Sequence, residues 1–395
     1  MDSHRWECRT KVRFGKNAVK GYLHALIEEF AIPGKPIMLG YGMGSVKRSG
    51  AYEDVMEVLE EMKLPIIQFS GIMANPTVAK MREGAELARQ KDVGLILAVG
   101  AGSAMDCCKA IAVQAAYDGD AWQDFWIEGK PIEHTPIPCG VVVTMPATGS
   151  EVNGCAVLTD EESKIKCDRD YAVINPLFAI IDPKYTFTLP ERQIKAGTFD
   201  ILSHIMETYF SFPIEDNPSD DVSEGLMRGL IRDFRVALKD PKDYQARSNI
   251  CWHASLAENR IIKAGKTLDF QAHNMEHQLS AYTNCNHGEG LAVIQPTYYR
   301  HIYKDGLGKF VRFATNVWQL NPADYENDEA LALAGIEELE KFIREIGLPT
   351  TLRELGFGEA EKELLPEIAH SCFISKGAFR PMKFREILEI YEECW

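Results

Sequence analysis

Midway along its 395 residues the chain changes texture, and neither a lone sheet nor a helical bundle accommodates both halves. Up to about residue 187, short apolar runs alternate with amphipathic ones. Pro36–Tyr41 (PIMLGY), Pro65–Phe69 (PIIQF), Gly94–Val99 (GLILAV), Gly140–Thr144 (GVVVT) and Phe178–Asp182 (FAIID) are strand candidates. Runs without polar alternation suit parallel strands buried on both faces. Between the first two, Val55, Met56, Leu59 and Met62 share a helical face. Between the next two, PTVAKMREGAELARQK opens with Pro76 near a helix start. This is βαβ alternation and predicts a doubly wound parallel sheet. Arg9–Phe14 (RTKVRF) alternates and reads as an edge strand.

Beyond Thr188 helical periodicity takes over. In EALALAGIEELEKFIREIG, Leu339, Phe342, Ile343 and Ile346 share one face. Gly347 and Pro349 then stop the helix. The expected organisation is an α/β dinucleotide-binding domain over 1–187 and an all-helical domain over 188–395.

Net charge is −15, which argues against nucleic-acid or anionic-membrane partners. No apolar run reaches a membrane-spanning length, and residues 1–12 do not read as a signal peptide. The ten cysteines contain no CxxC pair and read as reduced thiols, which suits a cytoplasmic protein.

Three small-residue loops follow strand candidates. Gly100-Ala101-Gly102-Ser103 lies between LAV and a helix carrying Asp106 and Lys109. Such a turn offers free N–H groups and a helix dipole to a pyrophosphate. It serves equally as a tight turn when taken alone. Gly42-Met43-Gly44-Ser45 follows the first buried strand. No acidic residue stands there to bind a ribose 2′-hydroxyl, and Ser45, Lys47 and Arg48 suit a 2′-phosphate. Thr144-Met145-Pro146-Ala147-Thr148-Gly149-Ser150-Glu151 is the third loop.

The sharpest chemical signal lies in the helical half. Asp200 and His204 stand four residues apart, as do His273 and His277, and His287 follows ten residues later. Residues at i and i+4 project from one helix face, so each pair can converge on one cation. The apolar neighbours Ile201, Leu202, Ile205 and Met206 place this polar face in a partly buried setting, where it needs partners. An Asp with several His suits Fe²⁺ or Zn²⁺, and an open position beside three or four such ligands would make the ion catalytic.

Together these residues resemble the iron-containing alcohol dehydrogenases, in particular their NADP-dependent butanol dehydrogenase and aldehyde reductase branch. The marks are YGMGSVKR at Tyr41, VGAGSAMDCCKAIA at Val99, TMPATGSE at Thr144, DPKYTFTLP at Asp182, GTFDILSHIMETY at Gly197 and HNMEHQLSAYTNCNHGEGLAV at His273. The resemblance covers nearly the whole chain. It implies a dehydroquinate synthase-like fold with a Rossmann-like sheet domain. Asp200, His204, His273 and His287 would be metal ligands, and His277 the histidine that helps move the proton. Gly100, Gly102, Ser103 and Asp106 would hold the pyrophosphate. Thr144 and Thr148 would line the cofactor cleft, and Lys166 would reach the nicotinamide ribose. Gly42 and Ser45 match the branch using NADP(H). Two positions depart from the family pattern: Ala101 and Met43 each replace a glycine.

The expected activity is hydride transfer between NADP(H) and a small primary alcohol or aldehyde, in a homodimer joined through the edge strand. Alternatives are a glycerol-type polyol dehydrogenase, a non-redox lyase or cyclase of the same fold, and a non-catalytic NADP-binding module.

Overall fold

The computed structural model describes residues 6–395. Among these residues eight strands form: β1 (Lys11–Phe14), β2 (Ile37–Tyr41), β3 (Ile66–Phe69), β4 (Leu95–Gly100), β5 (Cys139–Val143), β6 (Cys155–Asp160), β7 (Ile165–Asp170) and β8 (Phe178–Ile181). The first half also carries α1 (Ala18–Phe30), α2 (Ser45–Arg48), α3 (Ala51–Glu61), α4 (Val78–Gln90) and α5 (Gly102–Ala115). The second half is helical: α6 (Glu191–Tyr209), α7 (Pro218–Lys239), α8 (Tyr244–Glu258), α9 (Gln271–Thr283) and α10 (His287–Ile302), then α11 (Leu307–Arg312), α12 (Asp328–Glu345), α13 (Glu359–Ser371) and α14 (Phe384–Glu393).

Six strands make one parallel sheet in the order β1-β8-β5-β4-β2-β3. Its central strands are apolar at every position because both faces are covered. Met38, Ile96, Ala98, Val141 and Ala179 point into one core with α4 and α5. Ile37, Leu39, Leu97, Val142 and Ile180 point into the other, with α1 and α3. This is the doubly wound arrangement the apolar runs predict. Chain order reverses between β2 and β4. β2 leads outward to β3, whereas β4 leads the other way to β5. The loops after β2 and β4, Gly42–Ser45 and Gly100–Ser103, therefore flank the switch point, where open α/β sheets bind ligands at the carboxyl ends of their strands.

The antiparallel hairpin β6–β7 is a separate two-stranded sheet that the sequence reading does not anticipate. In α12, Leu339, Phe342, Ile343 and the following Ile346 are buried as the periodicity predicts. Gly347 takes a left-handed φ of 70°, which explains why a glycine ends that helix.

Two compact units result. One consists of Glu7–Pro190 together with Asp240–Asn259, and the other contains Glu191–Lys239 and Arg260–Trp395. Helix α8 thus belongs with the sheet although it lies in the helical half of the sequence. Within the sheet unit its Arg247 donates to the Thr186 hydroxyl at 3.0 Å, and its Ser255 donates to Glu151 at 2.7 Å. No helix among the described residues is long and apolar enough to cross a membrane. All ten cysteines are free.

Candidate active site

In the sheet unit, the end of β4 meets the end of β5 where the Thr144 N–H donates to Gly100 O at 2.9 Å. Gly102 opens α5 against Thr148. A Cβ built on Gly102 would stand 2.4 Å from Thr148 Oγ1, so only glycine lets these two loops close. Ser103 donates to Ala74 O at 2.9 Å, which ties the turn to the loop after β3. Gly100, Gly102, Ser103, Thr144 and Thr148 are therefore gathered at the carboxyl ends of the central strands β4 and β5. Ala101, the departure from the three-glycine pattern, has an extended φ of −88° that any residue adopts.

The loop after β2 lies beside them because β2 and β4 pair in register up to Tyr41 and Val99. Gly42 accepts from Gly71 N–H, Ser45 starts the short α2, and Met43 is 79% exposed. The Lys47 ammonium sits 4.8 Å from the centre of the Tyr52 ring, a cation–π contact that leaves it on this surface.

Asp106 is placed differently from the expectation. Its Oδ1 accepts from Ser150 Oγ at 2.5 Å and its Oδ2 from Val157 N–H at 3.1 Å, and the residue is buried. A carboxylate cannot hold an anionic pyrophosphate, and this one has turned inward to tie α5 to the third loop and to β6. Lys109, one helical step further on, is fully buried. It donates to Ser150 Oγ (2.7 Å), Asn153 O (2.9 Å) and Cys155 O (2.9 Å). Burial pushes the Asp106 carboxyl up and the Lys109 ammonium down, and each is opposed by the other's charge. Lys166 is also buried, on β7 opposite Thr159. Phe125 and Trp126 belong to the sheet core.

In the helical unit, α6 carries Asp200, His204 and Glu207 on one face, with spacings that follow the helical repeat. Helix α9 carries His273, Glu276 and His277. His287 is the first residue of α10, whose end is capped by the Asn286 side chain accepting from Glu289 N–H at 3.2 Å. Gly288 lets α10 approach α6 closely, since a Cβ there would stand 2.2 Å from Ala196 O.

Asp200 Oδ1 is the centre of this cluster. It lies 3.8 Å from His204 Nδ1, 3.7 Å from His273 Nε2 and 3.5 Å from His287 Nε2. These separations are too long for hydrogen bonds. Asp200 Oδ1 and His273 Nε2 are buried with no hydrogen-bond partner. Atoms that each sit about 2.1 Å from a shared tetrahedral ion lie roughly 3.4 Å apart. The cluster therefore has the spacing and the donor chemistry of a divalent-cation site, and buried polar atoms left otherwise unsatisfied would each cost free energy. Burial pushes the Asp200 carboxyl up, but His204, His287 and His273 outweigh it and hold it well below the usual carboxylate range. Burial likewise opposes protonation of His273, yet Glu207 and Asp200 raise it to about 10. His277 is buried on the same helix, its ring 5.4 Å from that of His287 and 6.1 Å from that of His273.

Sequence spacing overlooks two residues. Glu207 Oε2 contacts His273 Nδ1, and its Oε1 accepts from Ala272 N–H at 2.8 Å. Glu276 Oε2 contacts His287 Nδ1. The available signals were the helical phase of Glu207 with Asp200 and His204, and the place of Glu276 between two histidines.

Models of two families match the chain. "Iron-containing alcohol dehydrogenase" matches residues 9–183, and "Fe-containing alcohol dehydrogenase family, C-terminal" matches 194–395. The chain is 36% identical over 400 residues to NADH-dependent butanol dehydrogenase A of Clostridium acetobutylicum, covering all of both chains. It is 32% identical over 395 residues to the NADPH-dependent aldehyde reductase YqhD of Escherichia coli, covering 99% of each. The crystal structure of NADH-dependent butanol dehydrogenase A from Thermotoga maritima superposes with a TM-score of 0.92 at 31% identity, over 100% of this chain and 99% of that one.

The Asp106–Lys109 pair carries a stability prediction. Lys109→Met should lower unfolding free energy by about 3–5 kcal/mol, because it strands a buried carboxylate. Adding Asp106→Asn should recover part of that loss rather than add to it. Urea unfolding of the single and double variants measures both.

Proposed function

The chain belongs to the iron-containing alcohol dehydrogenase family, and we propose that it uses NADP(H) to interconvert a small primary alcohol and its aldehyde at a divalent ion held by Asp200, His204, His273 and His287. The observation that carries this reading is the convergence of three imidazole nitrogens on Asp200 Oδ1 at 3.5–3.8 Å. Fe²⁺ is the ion the family implies, and Zn²⁺ fits the same ligands. When bound, the ion supplies Lewis acidity to the substrate oxygen, and the nicotinamide gives or takes the hydride.

The remaining work belongs to this chain's own residues. Gly100, Gly102 and Ser103 present the turn and the α5 N-terminus to the pyrophosphate. Thr144 and Thr148 stand at the same carboxyl end and orient the cofactor, and Lys166 serves its nicotinamide ribose. His277, one turn along α9 from His273, holds the proton that the substrate oxygen loses or gains. The assembly is a homodimer through the outer edge of β1, the terminal strand of the sheet, and is cytoplasmic.

Cofactor choice rests on the loop after β2. Relatives of both cofactor types match the chain, so the residues themselves have to decide. No carboxylate stands in Gly42–Arg48 to accept from a 2′-hydroxyl or to repel a 2′-phosphate. Ser45 can donate to that phosphate, and Lys47 and Arg48 add positive charge. The wild type should show kcat/KM at least about tenfold higher with NADPH than with NADH, and Ser45→Asp should reverse the order, a change of roughly 1.4 kcal/mol for each factor of ten. A wild-type enzyme that favours NADH would overturn this assignment and leave the enzyme class intact.

A second prediction separates ligand from proton carrier. His273→Ala should lose both bound metal and aldehyde reduction. His277→Ala should keep near wild-type metal content and lose rate, by roughly 10²–10⁴-fold. Metal analysis beside steady-state kinetics on both variants decides it, since equal metal content in the two contradicts the division of roles.

A further inference from the structure

Two histidines of the cluster share an arrangement. Each directs Nε2 toward Asp200 and Nδ1 toward a buried glutamate: His273 toward Glu207, and His287 toward Glu276. The two differ in support. His273 lies within α9, its side chain 6% exposed, and its glutamate also accepts from the α9 backbone. His287 stands at the first position of α10 with a side chain 24% exposed, so packing constrains its ring less.

Glu276 is held where it can make up that difference. It is fully buried, and Ser280, one turn further along α9, donates to its Oε1. Room for it comes from Gly290, one turn into α10. A Cβ on Gly290 would stand 2.9 Å from Glu276 Cγ and 3.2 Å from Oε1. The absence of a side chain at 290 is thus matched to the presence of one at 276.

We propose that Glu276 is a positioning residue for His287: it accepts a hydrogen bond from Nδ1–H, which fixes the ring's tautomer and its rotation, and so aims the Nε2 lone pair at the ion position. This rests on the ligand set proposed above. A carboxylate on the far nitrogen also makes the near nitrogen a stronger donor to a cation. The space at Gly290 and the hydroxyl of Ser280 are the supports that keep Glu276 in place.

The test uses Co²⁺ as the probe metal in the full-length protein, because its visible absorption reports ligand geometry without turnover. Glu276→Ala should weaken Co²⁺ binding roughly 10–100-fold and change the shape of the visible band. Gly290→Ala, which leaves every polar group of the site in the sequence, should do the same by displacing Glu276. Glu276→Gln, which keeps an acceptor oxygen without the charge, should fall between Glu276→Ala and wild type. Gly290→Ala and Glu276→Gln carry the test if Glu276→Ala fails to fold. His287→Ala is the control and should change both readouts. If it does so while the position 276 and 290 variants keep the wild-type affinity and band, the positioning role is wrong and the ligand set stands. If His287→Ala also leaves both unchanged, the ligand set is wrong and this proposal falls with it.

Discussion

The helical unit is organised around one negative charge that has almost no water. Asp200 is 3% exposed, in the middle of α6, and its Oδ1 has no hydrogen-bond partner. A carboxylate in that position is tolerable only where positive charge stands next to it. Three helices supply the groups that carry such charge, α6 through His204, α9 through His273 and α10 through His287. Glu207 and Glu276 add two further buried carboxylates behind the imidazoles, so the demand for a cation in the middle rises. The close approaches at Gly288 and Gly290 follow from the same demand, since α10 has to come near enough to α6 and α9 for His287 to reach the centre.

The sheet unit solves a different problem, the exposure of backbone N–H groups toward a ligand without loss of rigidity. Its answer is a set of turns at the carboxyl ends of β2, β4 and β5, backed by the buried Asp106–Lys109 pair. Lys109 reaches the loop residues Ser150 and Asn153 and the start of β6, while Asp106 reaches Ser150 and Val157. Charged groups placed under the turns, rather than in them, leave the turn surface to the backbone and to small hydroxyl side chains.

Much of this was legible in the sequence, and the failures have physical reasons. Five sheet strands show as apolar runs, the central four because both of their faces are buried, and β1 at the sheet's edge shows instead as a short alternating stretch. Asp200 with His204, and His273 with His277, showed because helical spacing puts i and i+4 on one face. The hairpin β6–β7 did not show. Its second strand mixes apolar and charged types, as in IKCDRD, and the apolar CAVL of its first strand is cut short by Thr159 and Asp160. Helix α8 reads like any other helix, and nothing local tells that its partners lie in the sheet unit. Asp106 stands close to a turn in sequence, but that proximity does not fix the direction of a side chain, and its carboxylate points inward to Ser150 and Val157. Glu207 and Glu276 were overlooked because spacing identifies which residues share a face, not which nitrogen of a neighbouring ring they touch.

The return of Asp240–Asn259 to the sheet unit has a consequence for how the protein is made. A ribosome delivers the chain from its N-terminus, and compact units ordinarily fold once their last segment has emerged. Here the six-stranded sheet is complete in sequence by Ile181, yet α8, which contributes Arg247 and Ser255 to its loops, follows only after all of Glu191–Lys239 has been synthesised. The nascent sheet must therefore wait with part of its surface uncovered while the first two helices of the other unit are already outside. The two units are interleaved in time as well as in sequence, and no single cut in the chain releases either one whole.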